Sequence, residues 1–343
     1  VRLITIEDHP YNAETPMREL SRVITPIESF FVRSHFDIPD LNPSTHRLQI
    51  EGAVRLPLSL DLSEIKALPE RRITATLECA GNGRIGLEPK VPGVRWAFGA
   101  ASTAHFKGAS LHHLLDRAGI EDSAVEAVFV GADCGEVEPG RTVPFERSLP
   151  IPLARHPDTL LIWEMNGEPL TPLYGSPLRL LVPRWYAVAS VKWLTRIRIV
   201  TQPFQGHYQT EKYVYEQEAG IPDKTPVSLM RVRAVIARPA EGETLPRDKT
   251  EISGMAWAGQ APIRKVDVSV DGGRSWMAAT LGPAPSEQAW TPWSLSWSPA
   301  SPGEHLLLAR GTDATGQTQP LTQTWNIQGY GNNVAHKVRV KVS

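Results

Sequence analysis

Thr76-Leu77-Glu78-Cys79-Ala80-Gly81-Asn82-Gly83-Arg84 decides how the chain is read. A β-type run from Ile73 to Leu77 delivers one thiol into a turn of small residues, and a guanidinium follows five positions after it. Small residues let a backbone approach a bulky group closely. A neighbouring arginine favours thiolate, the form that binds metals. One thiolate cannot close a zinc or iron–sulfur site. A metal at Cys79 must therefore take most of its ligands from elsewhere, for example from an organic cofactor.

Outward from this turn, the chain of 343 residues is long enough for two domains with separate cores. With 41% hydrophobic and 21% charged residues it has globular composition, neither fibrous nor disordered. A net charge of -1, with no long basic or acidic block, gives no argument for a nucleic-acid partner. Any positive potential must be local. No apolar run reaches membrane-spanning length and no secretory h-region is present, so no membrane partner is expected and the chain reads as soluble. It begins at Val1 rather than Met, so a leader or a few residues are expected to be missing. Export to the periplasm is the first expectation for its compartment, the cytoplasm the alternative. The second cysteine, Cys134, sits in Gly131-Ala132-Asp133-Cys134-Gly135-Glu136, read as a polar loop after the apolar run Ala127 to Val130. Two thiols do not make a disulfide framework, and Cys134 is expected to be free.

The first region mixes helices with strands. Leu111, Leu114, Leu115 and Ala118 fall at helical spacing, with Gly119 placed to end the helix. Asp61 to Leu68 reads as a shorter helix stopped before Pro69. Leu178 to Val182 and Val188 to Ile199 read as strands. Without a βαβ rhythm, the class is α+β. The polar segment from Glu216 to Pro226, with two prolines, reads as a linker. Beyond it the pattern is all-β: Val266, Val268 and Val270 alternate with polar residues, and Asp271-Gly272-Gly273 supplies a hairpin turn. Another turn is expected at Thr312 to Gly316. Six of the ten tryptophans lie between Trp257 and Trp325, and large aromatics on short strands suggest an immunoglobulin-like sandwich. The expected domains are 1-222 and 223-343.

Several of these segments resemble the sulfite oxidase family of molybdopterin enzymes, over nearly the whole chain. The resemblance implies that Cys79 binds molybdenum, that two more sulfurs come from the dithiolene of one molybdopterin, and that oxo groups complete the site. Phe30-Phe31-Val32-Arg33-Ser34-His35 resembles a family segment in which the arginine lines the substrate pocket and the backbone, here Phe31, Val32, Arg33, Ser34 and His35, touches the cofactor. Tyr174-Gly175-Ser176-Pro177-Leu178-Arg179 and Val188-Ala189-Ser190-Val191-Lys192-Trp193 resemble the segments that hold the pterin and its phosphate, which implies roles for Tyr174, Arg179, Val191, Lys192 and Trp193. The physics agrees, since a buried phosphate needs guanidinium, ammonium or backbone N–H groups to offset its desolvation. Asp133 resembles a further pterin contact, Tyr213 a tyrosine facing the substrate, and Trp96 a tryptophan lining the same pocket. Taken alone, Arg33 and His35 read as a surface arginine beside a core histidine. Arg179 and Lys192 read alone as strand charges, Asp133 as a turn residue, Tyr213 as a half-buried boundary residue and Trp96 as core.

Three positions depart from the family pattern. Tyr174 stands where histidine is usual, Arg184 follows Pro183 where glycine is common, and Gln328 replaces an arginine that reaches the anion pocket. The implied reaction is oxidation of sulfite to sulfate by oxygen-atom transfer. Arg33, Arg84 and Tyr213 would orient the oxyanion, and His35 would tune the charge or relay protons. With no Cys-x-x-Cys-His site, electrons would pass to a separate acceptor such as a cytochrome c, or to oxygen. The second domain implies a homodimer. The alternatives are a reductase of nitrate or of an S-oxide on the same cofactor, and a non-catalytic binding protein.

Overall fold

The computed structural model describes residues 2–216 and 224–343. The boundary expected at 222/223, and most of the expected linker, lie outside the described residues.

The first region holds two five-stranded sheets. In one, Glu70–Glu78 pairs with Ala101–Ser110, which pairs with Leu160–Met165; Glu168–Pro169 and Arg179–Leu181 both pair with Leu160–Met165. In the other, the order is Leu58–Asp61, Arg47–Gly52, Leu194–Val200, Glu126–Glu138, Arg141–Pro150. Only the Arg47–Gly52 pairing with Leu194–Val200 is parallel in that sheet. The helices are short, the longest α-helix among the described residues being His112–Ala118, so the α part of the expected α+β class is slight. That helix buries Leu114, Leu115 and Ala118 and ends at Gly119, whose φ of 66° suits its lack of a Cβ. Leu62–Lys66 starts with reciprocal bonds: Asp61 Oδ1 accepts from Glu64 N–H, and Glu64 Oε2 accepts from Asp61 N–H, both at 3.0 Å.

Two expectations need correction. The strand read over Val188 to Ile199 begins only at Leu194. Before it, Ala187–Ala189 forms a tight 3₁₀ turn, Ser190 Oγ accepts from Val182 N–H at 3.0 Å, and Trp193 has φ 51°, incompatible with a strand. Cys134 is not in a loop. It pairs with Pro144 in the long strand Glu126–Glu138, exposed and free of any disulfide. The strand breaks register between Val130 and Cys134, and this irregularity carries Asp133 out of the ladder.

The second region is all-β. A four-stranded sheet (Arg233–Arg238, Thr250–Trp257, Thr291–Trp297, Thr280–Leu281) lies against a five-stranded one (Thr244–Leu245, His336–Val342, Gly303–Asp313, Ile263–Ser269, Met277–Ala278). Ile236, Ile252 and Trp293 from the first meet Val266, Leu307 and Val340 from the second in one core. His336–Val342 alternates buried and exposed without exception, as a strand with one wet face must. Trp257 and Trp290 belong instead to the core shared with the first region, their rings 6.0 Å apart.

Candidate active site

Cys79 follows directly on the strand Glu70–Glu78, and its N–H donates to Ala100 O at 2.9 Å. The turn closes through Asn82 N–H to Cys79 O at 2.9 Å. Its small residues make room for protein groups: a Cβ on Gly81 would lie 2.8 Å from Arg84 Nη1, and one on Gly83, where φ is 80°, 3.3 Å from Arg233 Nη1. Burial pushes the Cys79 thiol up, against the pull of Arg33, the Gly81 amide and Arg84. The thiolate expected from a neighbouring arginine is therefore not what the free chain favours; deprotonation needs a metal. Among the described residues no cluster of three His, Cys, Asp or Glu could hold a metal ion. A metal on Cys79 must draw on a bound group for its other ligands.

Two cavities meet at this sulfur, and Arg33, His35, Cys79 and Tyr213 line both. The inner one spans about 630 Å³, part of it open to solvent. Phe31, Val32, Ser34, Tyr174, Arg179, Lys192, Trp193 and Asp133 line it. Lys192 Nζ donates to Ser34 Oγ at 3.0 Å and Leu173 O at 3.2 Å. Burial, then Arg179, hold its ammonium well below the ordinary lysine range. Burial also lowers Arg179 to about 10, and its Nε has no partner. Asp133 is pushed up to about 7 by burial, against Lys192, and its Oδ1 is buried without a partner.

Among the described residues, Arg33, Arg179 and Lys192 have no carboxylate within 4 Å. Three desolvated cations facing one half-protonated carboxyl are unfavourable unless an anion joins them. The donor set fits a molybdopterin: cations for its phosphate, a carboxyl for ring N–H groups, and a thiol at the edge for the metal. Tyr174 fits less directly, because its one hydroxyl proton is shared between the carbonyls of Ile27 (2.8 Å) and Phe30 (2.7 Å) and so braces the Phe30–Phe31 segment. Val191 does not line the cavity; it is core, and its carbonyl accepts from Leu180 N–H at 2.9 Å.

The outer cavity spans about 1020 Å³, part of it open to solvent. Arg84 and Trp96 line it with Lys212, Gln328, Tyr330 and the carboxylates of Glu7 and Glu136. Arg84 donates from Nη1 to Val94 O at 2.8 Å and from Nη2 to Gln328 O at 3.0 Å, with its guanidinium 5.0 Å from the centre of the Tyr330 ring. Trp96 is fully buried and its Nε1 has no partner. Gln328 donates from Nε2 to Glu211 O at 2.9 Å, while its Oε1 is unpaired. His35 Nε2 and Tyr213 Oη are 2.7 Å apart. Burial, then Arg33, Lys192 and Arg147, hold His35 well below the usual imidazole range, and burial raises Tyr213, so both rings are neutral near pH 7. Tyr213 has φ 56° and stacks on Tyr330 at 4.7 Å. Tyr208 and His207 enter on one wide turn, closed by Lys212 N–H donating to His207 O at 2.8 Å.

Sequence reasoning missed several of these supports. Phe145 stacks on His35 at 4.4 Å, and Arg147, buried two residues on, donates to Tyr208 O and to Val227 O. Both lie on one face of Arg141–Pro150, where an arginine in step with apolar residues was a readable signal. Asn12 Oδ1 accepts from Ser34 N–H at 2.9 Å and from Arg33 at 3.2 Å, and nothing local to Asn12 announces that.

Residues 35–208 match the family model described as the oxidoreductase molybdopterin binding domain, and residues 224–343 match the Mo-co oxidoreductase dimerisation domain. The chain is 36% identical to the mitochondrial sulfite oxidase of Homo sapiens over 357 residues, covering 97% of this chain and 65% of that protein. It is 30% identical to the sulfite oxidase of Arabidopsis thaliana, covering 97% of this chain and 92% of the relative. The crystal structure of the sulfane dehydrogenase SoxCD from Paracoccus pantotrophus matches with a TM-score of 0.83 at 29% identity, over 98% of this chain and 86% of that one. The chain spans just under two thirds of the length of the mammalian relatives it matches. No helix among the described residues is long and apolar enough to cross a membrane.

Proposed function

The chain belongs to the sulfite oxidase family of molybdopterin-binding oxidoreductases, and from that premise we propose that it oxidises sulfite to sulfate, passing two electrons to a separate acceptor. The carrying observation is the meeting of a cation-lined inner cavity and an open outer one at Cys79, Arg33 and Tyr213. Arg179, Lys192, Asp133 and the Phe31–His35 segment would hold the pterin, with Cys79 on the metal. When bound, the molybdenum cofactor supplies the oxygen-atom transfer; overall, sulfite and water give sulfate, two protons and two electrons.

The chain's own residues bind and orient. Arg33 keeps Nη1 on Asn12 and on Ser34 O, so its fork is fixed before an anion arrives. Arg84 is held by two carbonyls and acts on the anion through its field. Tyr213 can donate to a substrate oxygen only when His35 Nε2 carries the ring proton, so the pair works as a directed donor. Trp96, with its unpaired N–H, supplies a further wall.

Gln328 favours a second reading. Its neutral amide faces the outer cavity, and a less cationic mouth suits a reductase of nitrate or an S-oxide. Steady-state turnover of sulfite with ferricyanide, against nitrate or methionine sulfoxide with reduced viologen, separates the two. Sulfite turnover at the blank rate, with molybdenum present, rules out the first. A preparation from a molybdenum-replete host that carries neither metal nor pterin leaves the binding-protein reading. Cys79→Ser should lower turnover per molybdenum by more than about 100-fold, since even groups behind a ligand are worth 10- to 100-fold. The second region is read as an immunoglobulin-like homodimerisation unit, tested by sedimentation at micromolar concentration. Cytochrome c and oxygen remain the candidate acceptors, to be compared directly as oxidants. The periplasm is the first compartment to test, by cell fractionation.

A further inference from the structure

The second region reaches across and clasps the Cys79 turn from both ends. Glu78, the residue before the thiol, is wholly buried, and its Oε1 lies 2.7 Å from Arg233 Nε of the strand Arg233–Arg238. That contact is an ion pair without an aligned hydrogen bond. Glu78 also accepts from Trp257 Nε1 at 2.9 Å and from Asn82 Nδ2 at 3.0 Å. Beyond the thiol, Arg233 Nη2 donates to Asn82 O at 3.2 Å and to Asn332 O. Asn332 Nδ2 donates to Gly83 O at 2.8 Å, and Gly331 N–H donates to Ala80 O at 2.8 Å. Residues 78, 80, 82 and 83 are thus each tied to the second region, on both sides of Cys79, which like Gly81 has no such tie.

From this we infer that Arg233 is a positioning residue for the metal-binding thiol: by holding Glu78 and Asn82 together it fixes the direction in which the Cys79 sulfur points. The inference rests on the reading of Cys79 as the molybdenum ligand. Chemically, a metal–thiolate bond is sensitive to the angle at which the sulfur lone pairs meet the metal, so a ligand on a turn needs its flanks fixed. A single guanidinium fork reaching three acceptor groups on two chain segments does this in a way an ammonium cannot.

The test uses the full chain, with cofactor from a molybdenum-replete host and without it from a cofactor-deficient host. Arg233→Lys keeps the charge beside Glu78 but loses the fork. Trp257→Phe removes one donor to Glu78 and serves if the first variant folds poorly. Glu287→Gln is the control, because it weakens the Arg184–Glu287 bridge between the same two regions and touches neither Glu78, Asn82 nor Arg233. Two readouts apply: the thiolate-to-molybdenum charge-transfer absorption of the loaded protein, and the rate at which iodoacetamide alkylates Cys79 in the cofactor-free protein. Expected are a displaced absorption band and an alkylation rate raised by about tenfold in Arg233→Lys, with a smaller rise in Trp257→Phe and none in Glu287→Gln. If Arg233→Lys lowers Tm yet leaves band and alkylation rate at the wild-type values, Arg233 merely stabilises the fold and the inference falls. An equal change in Glu287→Gln overturns it as well, because general loosening between the regions would then suffice. Wild-type protein that binds no molybdenum under these conditions defeats the prior reading of Cys79, a separate outcome.

Discussion

The clasp beneath Cys79 and the cavity beside it both bury arginine, on opposite terms. Arg233 meets a fully buried carboxylate 2.7 Å away. Arg179, equally enclosed, has only the Tyr174 carbonyl at 3.4 Å and an orphaned Nε. The first arrangement is complete as the chain stands, and the second is complete only with a guest. Here the buried cation with its carboxylate is architecture, and the one that lines the cavity without a carboxylate is a receptor for an anion.

The sharpest way to break this contrast is to remove charge on each side and compare signs. Glu78→Gln strands Arg233 without a counter-charge and should cost about 3–5 kcal/mol in urea unfolding of the cofactor-free protein. A cost below about 1 kcal/mol would mean that water or a neighbour already compensates Arg233.

Asp133 comes next. Its carboxyl, raised to about 7 in the folded chain, keeps a proton that the unfolded chain gives up near 4. At this group the native state binds more protons between those values, so Asp133's own contribution to stability falls as pH rises from about 4 to 7, while the lowered His35 and His336 contribute with the opposite sign. Relative to Asp133→Asn, cofactor-free wild type should lose on the order of 2–4 kcal/mol over that range, a difference in which the histidine contributions cancel. Unfolding at pH 5 and pH 7.5 measures it.

Arg179→Met should move stability the other way from Glu78→Gln. Removing a desolvated, unpaired charge should stabilise the cofactor-free protein by about 1–3 kcal/mol while molybdopterin retention drops. The two effects together separate a receptor from a strut. The smallest effect belongs to Arg184, which holds φ 68° and whose side chain makes only long contacts to Glu287 at 3.4 Å. Arg184→Gly should raise stability by up to about 1 kcal/mol, because only glycine takes that conformation without a Cβ penalty.

Legibility from sequence followed the reach of the interaction. The helix ended by Gly119 and the helix starting at Asp61 were readable because both depend on neighbours a turn away. The thiol turn, Arg33, Arg179 and Lys192 stood out through motif resemblance, and the chain brings them to one cavity. The segment before Leu194 was misread because its apolar residues suit a strand, whereas packing throws Trp193 to positive φ and turns Lys192 inward. Cys134 was misread because a polar stretch reads as loop, while the partner strand Arg141–Pro150 pairs with it regardless. Asn12, Tyr330 and the Glu78–Arg233 pair were invisible for a simpler reason: Asn12 is 21 positions from Arg33, Tyr330 is 117 from Tyr213 and Glu78 is 155 from Arg233, and no local pattern encodes that.

The four residues common to both chambers carry a consequence for redesign. Whatever occupies the inner room forms the floor of the outer one, so Arg33, His35, Cys79 and Tyr213 cannot be altered for a new substrate without disturbing retention of the prosthetic group. Glu7, Glu136, Lys212 and Gln328 touch the antechamber alone. Selectivity can drift at those doorposts while the hearth stays lit, and a library aimed at new chemistry belongs there.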